Sequence, residues 1–492
     1  MRVGFGTIWL TMMWMLGCGG GRVMFNPYVN VVADQSPGGH LQDGELAEFW
    51  LALDQQRTTE FAAQLNQPWS PPQGDLGLAM VQGSEGAACS NSGSGVRQCL
   101  QQRGLTLVPD QQLSQFFSTP SSRQSEINTT IPTFRRMQDG ISGGAGLVRF
   151  FVTGDEFEAV VLNRHGVWHY ELGVQVDQVR DRVSRLLFLM RSIPLNPELL
   201  NSDGWEDDAG YLYDRLLRPM EQQLDRAESV AFILDDALLN LPMGMLLRKS
   251  DPLASRATGG GQFAFERYKI RYAVNVRQAI HDSKSRRSSA PRMLVVGNPS
   301  NEPLEAAGIF RPLPSAQEEA VLVSMLFPGS TLLEGPQATR RAVLSKLGSF
   351  DLIHLASHAK AMPDPKASFL LMATDQSTGG LITVEDLLGT PLSAELVVLS
   401  ACETAASVGG VAQGSLTSLA TAILETGADA VVSTMWQVHS QATSEFMADF
   451  YQGYGEYSVA TNLRNAQRSL LADERYRHPY FWAPFVVYGL GS

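Results

Sequence analysis

Two short stretches, DLIHLASHA over Asp351–Ala359 and ELVVLSACET over Glu395–Thr404, constrain the fold more than any other part of the chain. Each is a run of Leu, Ile and Val residues that ends abruptly in small and polar residues. Such runs predict buried strands of a parallel sheet that end in loops. The first run places His358 at its end, and the second places Cys402 there. Because chemistry in open α/β sheets gathers outside the carboxyl ends of the strands, we expect these two residues to meet.

A Cys and a His at neighbouring strand ends are the residue types of a thiol nucleophile and its base. The thiolate is a strong nucleophile, and imidazole accepts a proton at neutral pH. The alternative for Cys402 is a buried small hydrophobic residue, which is a common role for Cys. Its neighbours Ser400, Ala401, Glu403 and Thr404 are small or polar, and they favour the mouth of a loop.

Metal binding is the other chemistry that the two histidines of the first run suggest. His354 and His358 are four residues apart, as in the zinc motif H-E-x-x-H, but no Glu lies between them. On a strand, residues i and i+4 are about 13 Å apart, which is too far to share one zinc ion. We therefore expect no metal site, and we interpret His354 as a buried support residue inside the strand.

The C-terminal part of the chain alternates strands with helices, which predicts a mostly parallel sheet with right-handed crossovers and flanking helices. The predicted strands are Met293–Gly297, Thr331–Leu333, Leu352–Ala356, Phe369–Met372, Leu396–Leu399 and Ala430–Thr434. The predicted helices are Ser315–Leu326, Ala338–Leu347, Ser415–Glu425, Ala442–Gln452 and Val459–Leu471. Ser315 is the predicted N-cap of the first helix, with Glu318 completing a capping box.

Residues 145–281 read as a second α/β unit that precedes the first in sequence. Three strand patterns, LVRFFVTGD, EFEAVVLNRHG and VWHYEL, predict an antiparallel meander. Helices are predicted at Val176–Ser192 and Tyr211–Leu224, followed by the strand SVAFILDD. No Cys lies in this region, so we interpret it as structural. The polar stretch Asp282–Pro291, DSKSRRSSAP, predicts a surface linker between the two units.

Four motifs in order resemble the CHAT domain family of caspase- and separase-like cysteine peptidases. They are the strand end His354–His358, the sequence SACET at Ser400–Thr404, the W-x-V at Trp436–Val438, and HPYFWAPF at His478–Phe485. The resemblance covers roughly residues 290–490, with a weaker match back to about 145. It implies a caspase-like α/β fold, an inactive caspase-like half at 145–281 and a catalytic half at 292–492. It also implies a catalytic His358 and Cys402, a protein or peptide substrate, no cofactor, and a regulatory partner protein.

The same resemblance assigns the oxyanion hole and the substrate pocket. The backbone N–H groups of Cys402 and Ala359 would hold the oxyanion; relatives usually have Gly at the second position. In relatives that cleave after Arg or Lys, an acidic side chain in the S1 pocket pairs with that basic residue. CHAT sequences commonly carry an Asp just after W-x-V, whereas His439 and Ser440 stand there in this chain. The pocket candidates are Glu403, Asp375, Met435, Trp436 and His439. Because a buried guanidinium without a partner is costly, we expect an uncharged or apolar P1 residue.

The N-terminus predicts export. Residues 1–18 contain an apolar run that is too short to span a bilayer but suits a signal peptide. It ends in Cys18, which resembles a bacterial lipoprotein cleavage site with a lipidated Cys; an ordinary signal peptide or an early start codon are the alternatives. Cys89 and Cys99 flank a Ser/Gly-rich loop and would form a disulfide, leaving Cys402 as the free thiol. Residues 19–40 then read as a tether and residues 41–132 as an accessory region.

Composition narrows the function classes. The 492 residues are 44% hydrophobic and 18% charged, as in a globular protein, and the length suits two or three domains. The net charge of −12, with a basic run only at Lys284–Arg287, argues against nucleic acid binding. Besides a cysteine endopeptidase, two functions stay open: a catalytically silent binding module of the same fold, and a thiol amidase acting on non-protein amides.

The export interpretation predicts an envelope protein with a lipid on Cys18 and one free thiol. Thiol titration of denatured, non-reduced protein from its native host should find one reactive Cys, and mass analysis should find the lipid. Reduced Cys89 and Cys99 in that material would contradict the export interpretation.

Overall fold

A computed structural model describes residues 39–40 and 144–490, except for gaps at 203, 250–260, 276–277, 280–287, 307–309, 361–365, 367, 375–378, 404–416 and 437–439. Only the backbone is described for Cys402 and Glu403. The predictions that lie outside the described residues are those for the signal peptide, the tether before residue 39, the accessory region, the linker before residue 288, Cys18, Cys89, Cys99, Asp375 and His439.

One mixed, mostly parallel sheet of 14 strands organises the described part of the chain. Its strands are β1 (Gly39–His40), β2 (Ala145–Thr153), β3 (Glu156–Asn163), β4 (Gly166–Gln175), β5 (Ser229–Ile233), β8 (Lys269–Tyr272), β9 (Met293–Pro299), β10 (Thr331–Gly335), β11 (Leu352–Lys360), β12 (Phe369–Leu371), β13 (Leu381–Thr383), β14 (Leu396–Glu403), β15 (Ala430–Thr434) and β16 (Phe485–Gly489). A separate two-stranded sheet pairs β6 (Leu247–Arg248) with β7 (Gln262–Phe263).

Helices flank the sheet. They are α1 (Val176–Ser192), α2 (Gly204–Leu216), α3 (Glu221–Leu224), α4 (Ala264–Arg267), α5 (Glu302–Ala306), α6 (Pro314–Leu326), α7 (Arg340–Leu347), α8 (Val384–Leu388), α9 (Thr417–Glu425), α10 (Ser440–Gln452), α11 (Val459–Ala472) and α12 (Pro479–Trp482). Short 3₁₀ helices lie at Pro197–Asn201, Arg218–Met220, Asp236–Asn240 and Met243–Met245. Among the helices described, none has both the length and the apolar character needed to cross a bilayer.

The strand order explains why the central strands are apolar throughout. The sheet runs β1-β4-β3-β2-β5-β8-β16-β15-β14-β11-β12-β13, with β9 beside β11 and β10 beside β9. In β11 every residue except Lys360 is buried, and all of β15 is buried. Central strands covered on both faces need continuous hydrophobic runs, which is the pattern that identified them in the sequence.

The strands of the two predicted halves belong to one sheet. The last strand, β16, lies antiparallel to β15 and parallel to β8, so it joins β2–β5 and β8 to the C-terminal strands. Sequence analysis found the antiparallel meander of β2, β3 and β4, which the structure confirms. It assigned no strand to β8, a four-residue segment, or to β16, which begins at Phe485, the last residue of the motif HPYFWAPF.

Two local predictions were wrong, and Pro explains both. In place of the predicted helix Tyr211–Leu224, α2 begins earlier, at Gly204, and ends at Leu216. The chain continues as a 3₁₀ turn and the short α3, because Pro219 lacks an N–H and clashes with the preceding helical turn. The predicted N-cap Ser315, with its capping box to Glu318, is also wrong. Helix α6 begins one residue earlier at Pro314, which suits the first helical position, and its N-cap makes no side-chain hydrogen bond.

His478 begins the last helix. Its Nδ1 accepts a hydrogen bond of 3.1 Å from the N–H of Tyr480, while its ring contacts Trp205 edge-on at 5.5 Å. Its Nε2 is buried and has no hydrogen-bond partner within the described part of the chain. A protonated ring would place a hydrogen on the accepting Nδ1, and burial lowers the pKa of His478 to about 4.

The lowered pKa of His478 predicts that the folded protein loses stability as the pH falls. The ordinary pKa is 6.5, so between pH 6.5 and about 4 the unfolded chain binds a proton at residue 478 that the folded chain does not. Stability is therefore lost as pH falls, and the loss between pH 7.5 and 5 should be about 2 kcal/mol. Urea unfolding of wild type and His478→Asn at both pH values measures it, since Asn can still cap the helix. An equal pH dependence in the two proteins would contradict this assignment.

Candidate active site

The two candidate catalytic residues lie opposite each other on neighbouring strands. Strands β11 and β14 are parallel and adjacent, and their register pairs His358 with Cys402 and Ala359 with Glu403. Adjacent strands are about 4.8 Å apart, and paired positions belong to the same face of the pleat. The sequence placed both residues just after their strands. The strands in fact continue through them, to Lys360 in β11 and to Glu403 in β14.

The other edge of β11 changes its partner at the level of His358. Strand β9 pairs with β11 as far as Ala356, and antiparallel β12 pairs with it from Ala359 onward. Between them, the hydroxyl of Ser357 donates a hydrogen bond to the carbonyl of Leu371 in β12. The candidate histidine therefore lies where one neighbouring strand leaves the sheet and another enters it.

A backbone carbonyl fixes the tautomer of His358. The ring Nε2 lies 2.7 Å from the carbonyl oxygen of Arg311, in the segment that leads into α6. A carbonyl oxygen only accepts hydrogen bonds, so Nε2 carries the proton and, in a neutral ring, Nδ1 carries the lone pair. Nδ1 is buried and makes no hydrogen bond to any described residue. Within the described part of the chain, the basic nitrogen of the ring is therefore unoccupied.

Burial keeps the imidazole neutral at physiological pH. The side chain of His358 is 9% exposed, and its ring packs against Phe310 with the centroids 4.9 Å apart. Burial lowers the pKa of His358 below its usual 6.5, while the Arg311 carbonyl and the nearby Glu305 carboxylate oppose that shift. A neutral imidazole with an unprotonated Nδ1 is the form that accepts a proton.

The backbone on the other side of the site is held by Thr434. Pairing between β14 and β15 extends to Leu399 and Ser433. One residue further along β15, the buried hydroxyl of Thr434 donates a 2.9 Å hydrogen bond to the carbonyl of Ala401. This contact orients the peptide group between Ala401 and Cys402, whose N–H is the predicted oxyanion donor.

His354 lies fully buried below the site on the same strand. Its Nδ1 is 3.0 Å from the hydroxyl of Tyr451 in α10, and its Nε2 is 3.1 Å from a carboxylate oxygen of the buried Glu319 in α6. This polar cluster ties β11 to two helices, which agrees with the predicted support role. Within the described residues, no three His, Cys, Asp or Glu side chains are grouped so that they could hold a metal ion.

The described pocket candidates are enclosed. Trp436 has no exposed surface, and its indole N–H donates a 3.0 Å hydrogen bond to the carbonyl of Tyr480. Met435 is buried, and its backbone N–H donates to the carbonyl of Pro484 at 3.0 Å. Ala359 is buried between Glu403 and Leu370. The pocket assignment stays a prediction.

Three contributions to the site were missed by the sequence analysis: the carbonyl of Arg311, the ring of Phe310 and the hydroxyl of Thr434. A carbonyl is present at every residue, so no sequence pattern could identify the one at Arg311. Thr434 reads as an ordinary β-branched strand residue. Only the tertiary arrangement assigns these three to the site.

Comparison with known proteins places the site in a family context. Residues 206–490 match the family model described as the CHAT domain. Tetratricopeptide repeat protein 28 of Mus musculus is 28% identical over 332 residues, covering 56% of this chain and 13% of that protein. Tetratricopeptide repeat protein 28 of Homo sapiens is 26% identical over 332 residues, which again cover 56% of this chain and 13% of that protein. The chain thus spans about an eighth of the curated relatives that it matches.

Solved structures give more distant similarities. A Saccharomyces cerevisiae separase–securin complex matches with a TM-score of 0.46 and 9% identity, covering 72% of this chain and 30% of that chain. The Arg-specific cysteine proteinase gingipain R matches with a TM-score of 0.31 and 9% identity, covering 64% and 74%. Because these TM-scores and identities are low, the chemistry of the candidate site is inferred from this chain's own residues.

Proposed function

The chain belongs to the CHAT domain family, and we propose that it is a cysteine peptidase in which Cys402 is the nucleophile and His358 the base. The observation that carries this proposal is the register pairing of His358 with Cys402 on adjacent parallel strands. The proton held on Nε2 by the Arg311 carbonyl supports it, because the nitrogen left unprotonated is the one a thiol can use.

The proposed reaction has two halves. Nδ1 of His358 takes the thiol proton, and the thiolate of Cys402 attacks the carbonyl carbon of a peptide bond. The tetrahedral oxyanion collapses as the imidazolium returns its proton to the leaving amine, which leaves a thioester. Water, deprotonated by the same Nδ1, then attacks the thioester. The second oxyanion collapses to release the acid, and the imidazolium returns its proton to the departing thiolate of Cys402. Throughout both halves the Nε2–H stays on the carbonyl of Arg311, which stabilises the transient imidazolium.

Backbone donors would stabilise both oxyanions. The N–H groups of Cys402 and Ala359 are the proposed donors, and each such donor is typically worth about 3 kcal/mol. The hydrogen bond from Thr434 to Ala401 fixes the plane of the peptide that contains the first donor. Fixed donors cost no reorganisation during the reaction, so this contact favours a preformed oxyanion site.

The substrate, partner and location belong to the same proposal. We propose a protein or peptide substrate and action in the bacterial cell envelope, supported by the N-terminal apolar run that ends in Cys18. A regulatory partner protein is part of the proposal on family grounds alone.

Replacement of either catalytic residue should abolish turnover without unfolding the protein. Cys402→Ala and His358→Ala should each reduce kcat on a cleaved peptide by about 10³-fold or more, and the double variant should lose no more, because the pair acts as a unit. Peptide cleavage and near-ultraviolet circular dichroism measure activity and folding on the same samples.

Ser345→Ala, an equally small truncation at an exposed position of α7, is the matched control and should retain wild-type turnover. Wild-type turnover by Cys402→Ala would contradict the proposal. If iodoacetamide labels Cys402 no faster than a free thiol in peptide, and no peptide of a diverse library is cleaved, the silent binding module is favoured. Cleavage of small amides but no peptides would favour the thiol amidase.

Substrate preference tests the predicted pocket. No acid follows W-x-V in this chain, so a P1 Arg or Lys would lack a partner, and an uncharged or apolar P1 residue should be cleaved fastest. A positional-scanning peptide library measures the preference directly. A strong preference for Arg or Lys would show that another carboxylate, such as Glu403 or Asp375, serves the pocket.

A further inference from the structure

We propose that Asn298 is a positioning residue for the candidate base, because it holds the segment whose carbonyl binds Nε2 of His358. This inference rests on the proposed function. Asn298 belongs to β9, the strand that leaves β11 just before the level of the candidate site, and sequence analysis gave it no role.

The backbone of Asn298 is unusual. Its φ of +45° makes it the one non-glycine residue with positive φ among those that the structure describes. It is also the extra residue of a bulge, since β10 pairs Glu334 with Gly297 and Gly335 with Pro299, which leaves Asn298 without a partner there. Bulges turn a side chain away from the regular pleat and are frequent beside active sites, and Asn tolerates the left-handed region better than most residues.

The redirected side chain reaches the loop that carries the Arg311 carbonyl. Its Oδ1 accepts a 2.8 Å hydrogen bond from the N–H of Leu313, two residues after Arg311. Leu313 is also the N-cap of α6, and its carbonyl accepts from the N–H of Ala316. The segment is therefore anchored to β9 on one side and to α6 on the other.

Two prolines make this anchor effective over the short distance to His358. Pro312 separates Arg311 from Leu313, and Pro314 follows, so two of these residues have φ fixed near −65°. A stiff segment transmits the position of the Leu313 N–H to the Arg311 carbonyl, which accepts from His358 Nε2 at 2.7 Å. The geometry connects a strained residue in β9 to the proton on the candidate base.

Three variants separate positioning from simple structural support. Asn298→Gly suits the backbone conformation but removes the acceptor, whereas Asn298→Asp keeps an oxygen at the same place. Pro312→Gly leaves the Asn298 contact in place and loosens the link to Arg311. The charged and titratable groups near the ring, Glu305 and Cys402, are kept in all three variants, and only Asn298→Asp adds a carboxylate.

The readouts are the rate of iodoacetamide alkylation of Cys402 between pH 5 and 9, and kcat and KM on a cleaved peptide. Loss of the carbonyl contact weakens His358 as a base, so less thiolate forms near neutral pH. We expect Asn298→Gly to alkylate about tenfold more slowly at pH 6.5, with its profile moved to higher pH and kcat reduced at unchanged KM. Asn298→Asp should restore the alkylation rate and kcat. In Pro312→Gly both quantities should lie between those of Asn298→Gly and wild type.

The outcomes distinguish this inference from the proposed function. A wild-type alkylation profile and kcat in Asn298→Gly, with only the free energy of unfolding reduced, would overturn the positioning role. If Asn298→Gly does not fold, a wild-type profile in Pro312→Gly would overturn it instead. His358→Ala is the reference: if it also leaves the alkylation profile unchanged, the proposed His358–Cys402 pair fails, not merely its positioning.

Discussion

The register between β11 and β14 is the constraint on which the candidate site depends. A slip of one residue would turn every side chain of a strand to the opposite face, so the register decides whether His358 and Cys402 share a face. Leu352 pairs with Leu396 at one end of the two strands, and His358 pairs with Cys402 six residues later. The apolar packing of the strands therefore decides which residue stands opposite the candidate nucleophile, well before any catalytic contact forms.

Strand packing alone does not set the burial and the tautomer of His358. Both properties depend on the residues that surround its ring. The parallel partner β9 leaves β11 at Ala356 through the bulge at Asn298, which makes room beside the strand for the segment before α6. That segment supplies both the ring of Phe310 and the carbonyl of Arg311. The ring of Phe310 lowers the solvent exposure of the imidazole, and the carbonyl of Arg311 accepts a hydrogen bond from its Nε2–H. Neighbouring residues thus set both the burial and the tautomer of His358.

The sequence predicted the part of this arrangement that depends on periodicity. The apolar runs identified β11, β14 and β15, and the lengths of α1 and β15 agree with the structure to the residue. What it could not predict depends on tertiary contacts. The Arg311 carbonyl carries no side-chain signal, and the hydroxyl of Thr434 acts only because β15 stops pairing with β14 at Ser433. The predicted helix over Tyr211–Leu224 is wrong at its C-terminal end because Pro219 interrupts it, and this steric effect is local and visible in the sequence.

The strands that precede the predicted linker have a structural role in the sheet. Without them, β16 would be an edge strand with the sequence FVVYG, and exposed apolar edges pair with other chains. Strand β8 covers that edge: Tyr272 pairs with Tyr488, their rings lie 5.4 Å apart, and Arg271 donates a 3.1 Å hydrogen bond to the carbonyl of Gly489. Because β16 also pairs along its length with β15, next to β14, the covered edge is only two strands from Cys402. The N-terminal strands therefore cover what would be an exposed edge of the sheet on which the candidate site is built.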